Sequence, residues 1–238
     1  MNEKRPLIAV IPARAGSKRI TNKNIRNMNG TPLIVRTINT LADTQLFDRI
    51  VVSTDSPEIE GIALRAGAEV PYLRSVKLSD DVTPTLPVIK DMILKLGLSK
   101  LNPEPILCCV YPASFMLSSK HFVKAFELSQ RLIEGQFCIS VLEYPHPIQR
   151  SFMLNAEMKL IPNDITALGE RTQDLPPNFH DAGQFYWAYV NTWLNSRSIL
   201  ASDCLGLILP RFEVVDIDTE EDWRMAEILF QGNKLHRA

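Results

Sequence analysis

Between residues 14 and 23 the chain places four cations, Arg14, Lys18, Arg19 and Lys23, directly after the apolar run LIAVIP, with Ala15, Gly16 and Ser17 among them. Small residues let a loop wrap closely and present backbone N–H groups to an anion, while the cations add charge and further donors. Such a loop suits a polyphosphate. It matches neither GxxxxGK[ST] nor GxGxxG, and a merely solvated basic turn would show the same run of charge. A second constellation lies near the carboxyl end, where VVDIDTEEDW sets Asp216 and Asp218 two residues apart. On or just beyond a strand, that spacing turns both carboxylates to one face, where they can hold a hard cation. The bland alternative is that these acids only favour the start of the last helix. Together, basic loop and paired carboxylates point to Mg²⁺ bridging a nucleotide phosphate.

Elements that could position these groups follow from the apolar pattern. The runs 7–11, 50–53, 70–73, 106–110 and 137–142 read as short strands separated by helix-length segments, the βαβ rhythm of a mostly parallel sheet. Ser56 and Pro57 read as N-cap and first residue of a helix closed by Gly67; Ser118 opens and Gly135 closes another, and 86–96 forms a third. Five prolines between 143 and 181 mark an excursion from the sheet. GQFYWAYV and EVVDID read as returning strands, the second leading into a helix capped by Thr219, with Asp222 at its third position. In an open α/β sheet the ligand crevice lies at the carboxyl ends of the strands, where the basic loop falls.

Composition bounds the rest. The 238 residues are 45% hydrophobic and 22% charged, enough for one sizeable core, so a single domain over 1–238 is expected. Net charge is −1, so no surface-wide field calls for nucleic acid or an anionic membrane, and any anion site must be local. No apolar stretch is long enough to span a bilayer and the first residues do not read as a signal peptide, so a cytoplasmic protein is expected. Cys108, Cys109, Cys138 and Cys204 show no CxxC spacing, and three lie in apolar runs, as buried core residues do.

The segments IPARAGSKRITNKN, VVSTDSPEI, LRSVKLSDD and VDIDTEEDW together resemble the cytidylyltransferases that load CMP onto nine-carbon α-keto acid sugars, the CMP-sialic acid synthetases and their relatives. The resemblance runs from about residue 7 to 230, and YPASF and AGQFYWA are similar to the branch acting on pseudaminic acid. It implies a Rossmann-like α/β fold of the nucleotide-sugar transferase type, an enzyme using CTP, Mg²⁺ and an acidic nine-carbon sugar, and a homodimer to which the excursion 143–181 contributes. Arg14, Ser17, Lys18, Lys23 and Asn24 match the loop that grips CTP phosphates, and Arg14, Lys18 and Lys23 would be catalytic. Arg74 and Thr85 fall on the cytidine half. Tyr111, Gly183, Gln184 and Tyr186 would face the sugar, with Phe115 and Phe185 adding apolar surface, and Asp216 and Asp218 match the metal ligands. Ala113 and Phe115 depart from the usual threonine and proline, and 180–182 lacks the arginine and asparagine of sialic acid enzymes, which leaves N-acetylneuraminic or legionaminic acid open as the sugar. Asp55 stands as either a catalytic helper or a cap of the Ser56 helix. A nucleotide-sugar glycosyltransferase and an inactive nucleotide-binding regulator are the readings from other classes.

Overall fold

The computed structural model describes residues 4–17, 19–200 and 203–237. The first apolar run forms β1 (Leu7–Pro12), buried along its whole length except at Pro12. A ribbon of β2 (Asn27–Met28) and β3 (Thr31–Pro32) leads into α1 (Leu33–Asp43), followed by β4 (Arg49–Ser53) and α2 (Pro57–Arg65). Next come α3 (Thr85–Lys95), β5 (Ile106–Val110), α4 (Ser119–Ser129) and β6 (Phe137–Glu143). A hairpin of β7 (Phe152–Leu154) and β8 (Leu160–Pro162) precedes β9 (Phe179–Tyr189), α5 (Val190–Asn195), β10 (Cys204–Ile208) and α6 (Glu220–Arg237).

Six strands join in the order β10-β6-β9-β5-β1-β4. β1 runs parallel to both β4 and β5, and β10 runs parallel to β6, whereas β9 lies antiparallel between β5 and β6. The sheet is thus mostly parallel and Rossmann-like, as expected. The chain moves from β1 to one side for β4 and returns to the other side for β5, so the switch point sits at the carboxyl end of β1. The loop carrying Arg14 leaves from there.

Alternating side chains feed two cores. Ala9, Ile11, Val52, Cys108, Phe185 and Trp187 pack with α1, α2 and α4, while Ile8, Val10, Val51, Cys109, Tyr186 and Ala188 pack with α3 and α5. A third cluster forms where α6 docks: Ile217, Trp223 and Ala226 close on Ile20, Met28, Leu33 and Phe115. Cys108, Cys109 and Cys138 are buried free thiols, as their apolar surroundings predict.

The cap assignments agree with the geometry. Ser56 Oγ accepts from the Ile59 amide at 3.3 Å, and at the start of α6 Thr219 and Asp222 each accept from the other's amide. Three readings are corrected, and a fourth point is settled by the packing. Residues 70–73 make only isolated bridges, Glu69 to Val51 and Leu73 to Thr54, because Pro71 between them has no N–H to donate. Residues 214–218 form no strand: β10, which the sequence pattern did not reveal, already occupies the edge beside β6. The helix from Ser118 ends at Ser129 rather than Gly135. The aromatic run of β9 is core, with Phe185 and Trp187 fully buried.

The excursion leaves from β6 and returns on its neighbour β9. Its hairpin exposes Phe152, Met153, Leu154, Leu160 and Ile161 on both faces. Among the described residues no helix is long and apolar enough to cross a membrane.

Candidate active site

At the carboxyl end of β1 the chain turns through Arg14 to Ser17, with Gly16 at φ +71°, in the left-handed region that glycine enters without strain. Side chains from distant elements pin this turn. Asp55, just beyond β4, accepts from the Ala15 amide at 2.8 Å, and Asn24 donates to the Arg14 carbonyl at 2.9 Å. Asp55 is therefore a loop anchor, and Ser56 rather than Asp55 caps the helix.

The turn forms one wall of a cleft of about 290 Å³. Arg14, Ser17, Lys23, Asn24, Arg74, Thr85, Tyr111, Gly183, Gln184 and Asp216 all line it, so ten of the proposed site residues meet there although they span the whole sequence. Pro12, Leu78, Asp80, Thr83, Val88, Pro112 and Ala113 complete the lining, and these were not picked out as site residues beforehand. Thr83 and Val88 carried no signal beyond their place beside Thr85 and on a helix, since neither type is specific to a site.

Asp218 lies in a smaller adjoining recess with Arg14, Ser17, Arg19, Lys23 and the Ile217 backbone. Its carboxylate is 2.9 Å from Arg19 and 3.7 Å from Lys23, whose ammonium also donates to the Ile217 carbonyl at 2.5 Å. Fully buried Ile217 keys into the α6 cluster, while its neighbours Asp216 and Asp218 are less buried. Asp216 and Asp218 thus flank one buried side chain and line adjoining recesses, Asp216 the main cleft and Asp218 the smaller one. Burial, and then the charge of Asp218, pushes the Asp216 carboxyl above the usual carboxylate range. A pair of crowded hard-oxygen donors beside a basic loop fits a hard divalent cation.

The opposite wall is aromatic and buried. Thr85, the first residue of α3, places its hydroxyl 2.5 Å from that of Tyr111, and the Tyr111 amide donates to the Gln184 carbonyl at 3.0 Å. Arg74 is 5% exposed and donates through Nε to Ser79 at 3.1 Å; burial lowers the pKa of its guanidinium, which still carries charge into the cleft. Asp81 reaches across to Arg14 at 2.7 Å.

Three residues expected on the sugar side do not line the cleft. Tyr186 stands behind Tyr111, ring edge against ring at 5.8 Å. Phe115 packs on Phe230 in the α6 cluster and Phe185 packs on Phe122 under the far face of the sheet, because their backbone positions aim them away from the opening. Lys18 lies outside the described residues.

A mostly parallel open sheet with a cation-rich turn at its switch point defines a Rossmann-like nucleotide-binding class. A protein-family model described as Cytidylyltransferase matches residues 8–192, and the chain belongs to that family. It is 36% identical over 228 residues to the pseudaminic acid cytidylyltransferase of Campylobacter jejuni strain 81-176, covering 95% of this chain and 97% of that one. It is 30% identical to the CMP-N,N'-diacetyllegionaminic acid synthase of Legionella pneumophila over 96% and 97% of the two chains. Among solved structures, a CMP:2-keto-3-deoxy-manno-octonic acid synthetase complexed with CTP shares the fold, with a TM-score of 0.64 and 13% identity over 96% and 99% of the chains.

Proposed function

We propose that this cytidylyltransferase transfers CMP from CTP to the anomeric hydroxyl of pseudaminic acid, releasing pyrophosphate. The observation that carries the reading is the single cleft that joins the basic turn, Asp216 and the Tyr111 wall. The anomeric oxygen attacks the α-phosphorus in line, the bond to the bridging oxygen of pyrophosphate breaks, and the hydroxyl proton is released. The protein's part is positioning and electrostatic stabilisation of the charge that develops.

Arg14 and Lys23 meet phosphate oxygens from the turn, and Ser17 adds a donor. Asn24 and Asp55 hold the turn in shape. Arg74 and Thr85 serve the cytidine half, while Tyr111, Gly183 and Gln184 shape the acceptor side. Asp216 and Asp218 would hold Mg²⁺, which when bound neutralises phosphate charge and lowers the pKa of the attacking hydroxyl. Arg19 and Lys23 remain near to balance Asp218 as the phosphates arrive.

The acceptor side favours a sugar with a less polar tail. Pseudaminic acid carries acylamino groups at carbons 5 and 7 and a methyl group at carbon 9, where sialic acid has hydroxyls along its tail. Tyr111, Val88 and Ala113 line the cleft, and a site lacking partners for extra hydroxyls discriminates against them. Incubation with CTP, Mg²⁺ and a panel of pseudaminic, legionaminic and N-acetylneuraminic acids, following pyrophosphate release, tests the assignment. We expect pseudaminic acid to be used with a specificity constant at least about a hundredfold above N-acetylneuraminic acid. Preferential formation of CMP-N-acetylneuraminate would overturn the sugar while leaving cytidylyl transfer standing. Pyrophosphate release without a CMP-sugar would overturn the transfer itself.

The same reading makes the protein a homodimer. A two-stranded hairpin apolar on both faces gains little by itself and buries its surface against a second copy. Sedimentation should give twice the chain mass, and replacing Met153 and Ile161 with Glu should halve it.

A further inference from the structure

The wall opposite the basic turn is made by a break in the sheet. Ile139 of β6 pairs with Tyr186 of β9, yet two residues further along β6 Val141 pairs with Asp181, five residues away on β9. The surplus, residues 182–185, leaves the β6 ladder as a bulge and carries Gly183 and Gln184 to the cleft. Gly183 sits at φ +61°, a conformation that costs other residues strain.

Two side chains hold the bulge. Ser140 Oγ accepts from the Gln184 amide at 3.1 Å and from the Phe185 amide at 3.2 Å. Asp181 holds it from the other end: Oδ1 accepts from the Gly183 amide at 2.9 Å, and Oδ2 accepts from the Tyr186 hydroxyl at 2.7 Å. The Tyr186 ring stands edge-on to Tyr111 at 81°, and Tyr111 meets Thr85 at the mouth of α3. One carboxylate therefore fixes both the backbone of the bulge and, through a second ring, the orientation of the aromatic wall. A negative charge beside a cleft for a triphosphate and an acidic sugar disfavours both ligands by repulsion. What Asp181 contributes must then be geometry.

We infer that Asp181 is a positioning residue for the acceptor sugar, acting through the Gly183–Gln184 bulge and through Tyr186 on the face of Tyr111. The inference rests on the cytidylyl-transfer reading above. The link reaches the cytidine half through the Thr85 hydroxyl, 2.5 Å from that of Tyr111, whereas the bonds that hold the bulge run to neither the basic turn nor Asp216. In Asp181→Asn the charge is removed at nearly constant size, and the amide nitrogen can meet the Tyr186 oxygen only as a donor, so the charge-assisted bond from that hydroxyl is lost. Tyr186→Phe removes only the hydroxyl and keeps the ring.

The experiment is steady-state kinetics of the full chain with CTP and with whichever of pseudaminic, legionaminic or N-acetylneuraminic acid the wild type turns over fastest. Each variant should raise KM for the sugar about tenfold, the scale of one charge-assisted hydrogen bond, while KM for CTP stays within about twofold. The double variant should be no worse than the poorer single one, because both remove the same link. If Asp181→Asn does not fold, Tyr186→Phe carries the test alone. A lowered melting temperature with an unchanged sugar KM, or an equal rise for CTP and sugar, would overturn the role. A wild-type protein that turns over none of the three acids overturns the reading beneath it and the inference with it.

Discussion

On the β1 side the cleft is walled by long cationic side chains on a pinned turn; on the β9 side it is walled by the bulge at Gly183 and Gln184 and by the Tyr111 ring, which Tyr186 backs. The side chains of Lys23 and Arg14 are 24% and 32% exposed, whereas Gln184 is 1% exposed and Tyr186, behind Tyr111, 5%. Charge acts at a distance and tolerates small displacements, so a wall that must follow phosphoryl charge from the attacked phosphate to the leaving group can be built from partly exposed cationic ends. Rejecting one sugar in favour of another needs fixed shape and fully used hydrogen-bond partners, and only a supported wall gives that. Changes on the first wall should therefore appear in turnover, and changes on the second in acceptor affinity.

The sharpest way to break this division is at the carboxylates. Asp218→Asn keeps shape and removes a unit of ligand charge, so turnover should fall at least about a hundredfold with folding intact. Titration with Mg²⁺ checks it, and activity within about twofold of wild type at limiting metal would remove Asp218 from the metal site. Lys23→Ala should come next, lowering turnover by about ten- to a hundredfold, the worth of one charged hydrogen bond, with a smaller change in CTP binding. A raised KM for CTP at unchanged turnover would confine Lys23 to ground-state binding.

Asp55→Ala leaves the Ala15 amide without its partner and should lower kcat/KM for CTP by about tenfold while sparing the sugar KM. Parallel measurement of both constants decides whether the anchor serves the basic wall alone. The smallest effect on activity belongs to Phe115→Leu. Its ring lies in the α6 cluster, so the substitution should lower the melting temperature and leave the choice between sugars unchanged. A shifted preference would return Phe115 to the acceptor wall.

Much of the basic wall was legible because its evidence is local. Arg14, Ser17, Lys23 and Asn24 lie within eleven consecutive residues, so their types and spacing can be read from one short stretch. The aromatic wall was less so: Tyr111, Gly183 and Gln184 do line the cleft, yet Tyr186, Phe115 and Phe185 do not. A strand alternates its faces, and a bulge resets which residue points where, so aromatic composition cannot say which ring reaches the opening.

By itself the sequence determined the strands β1, β4, β5 and β6 and the caps at Ser56 and Thr219, all consequences of spacing between near neighbours. Only the tertiary structure decided that β10 takes the sheet edge, that Asp55 anchors a turn forty residues away, and that Ser140 and Asp181 hold the β9 bulge. Those depend on which strands lie side by side and in what register, a choice made by burial of whole faces against the helices, which no short stretch of chain encodes.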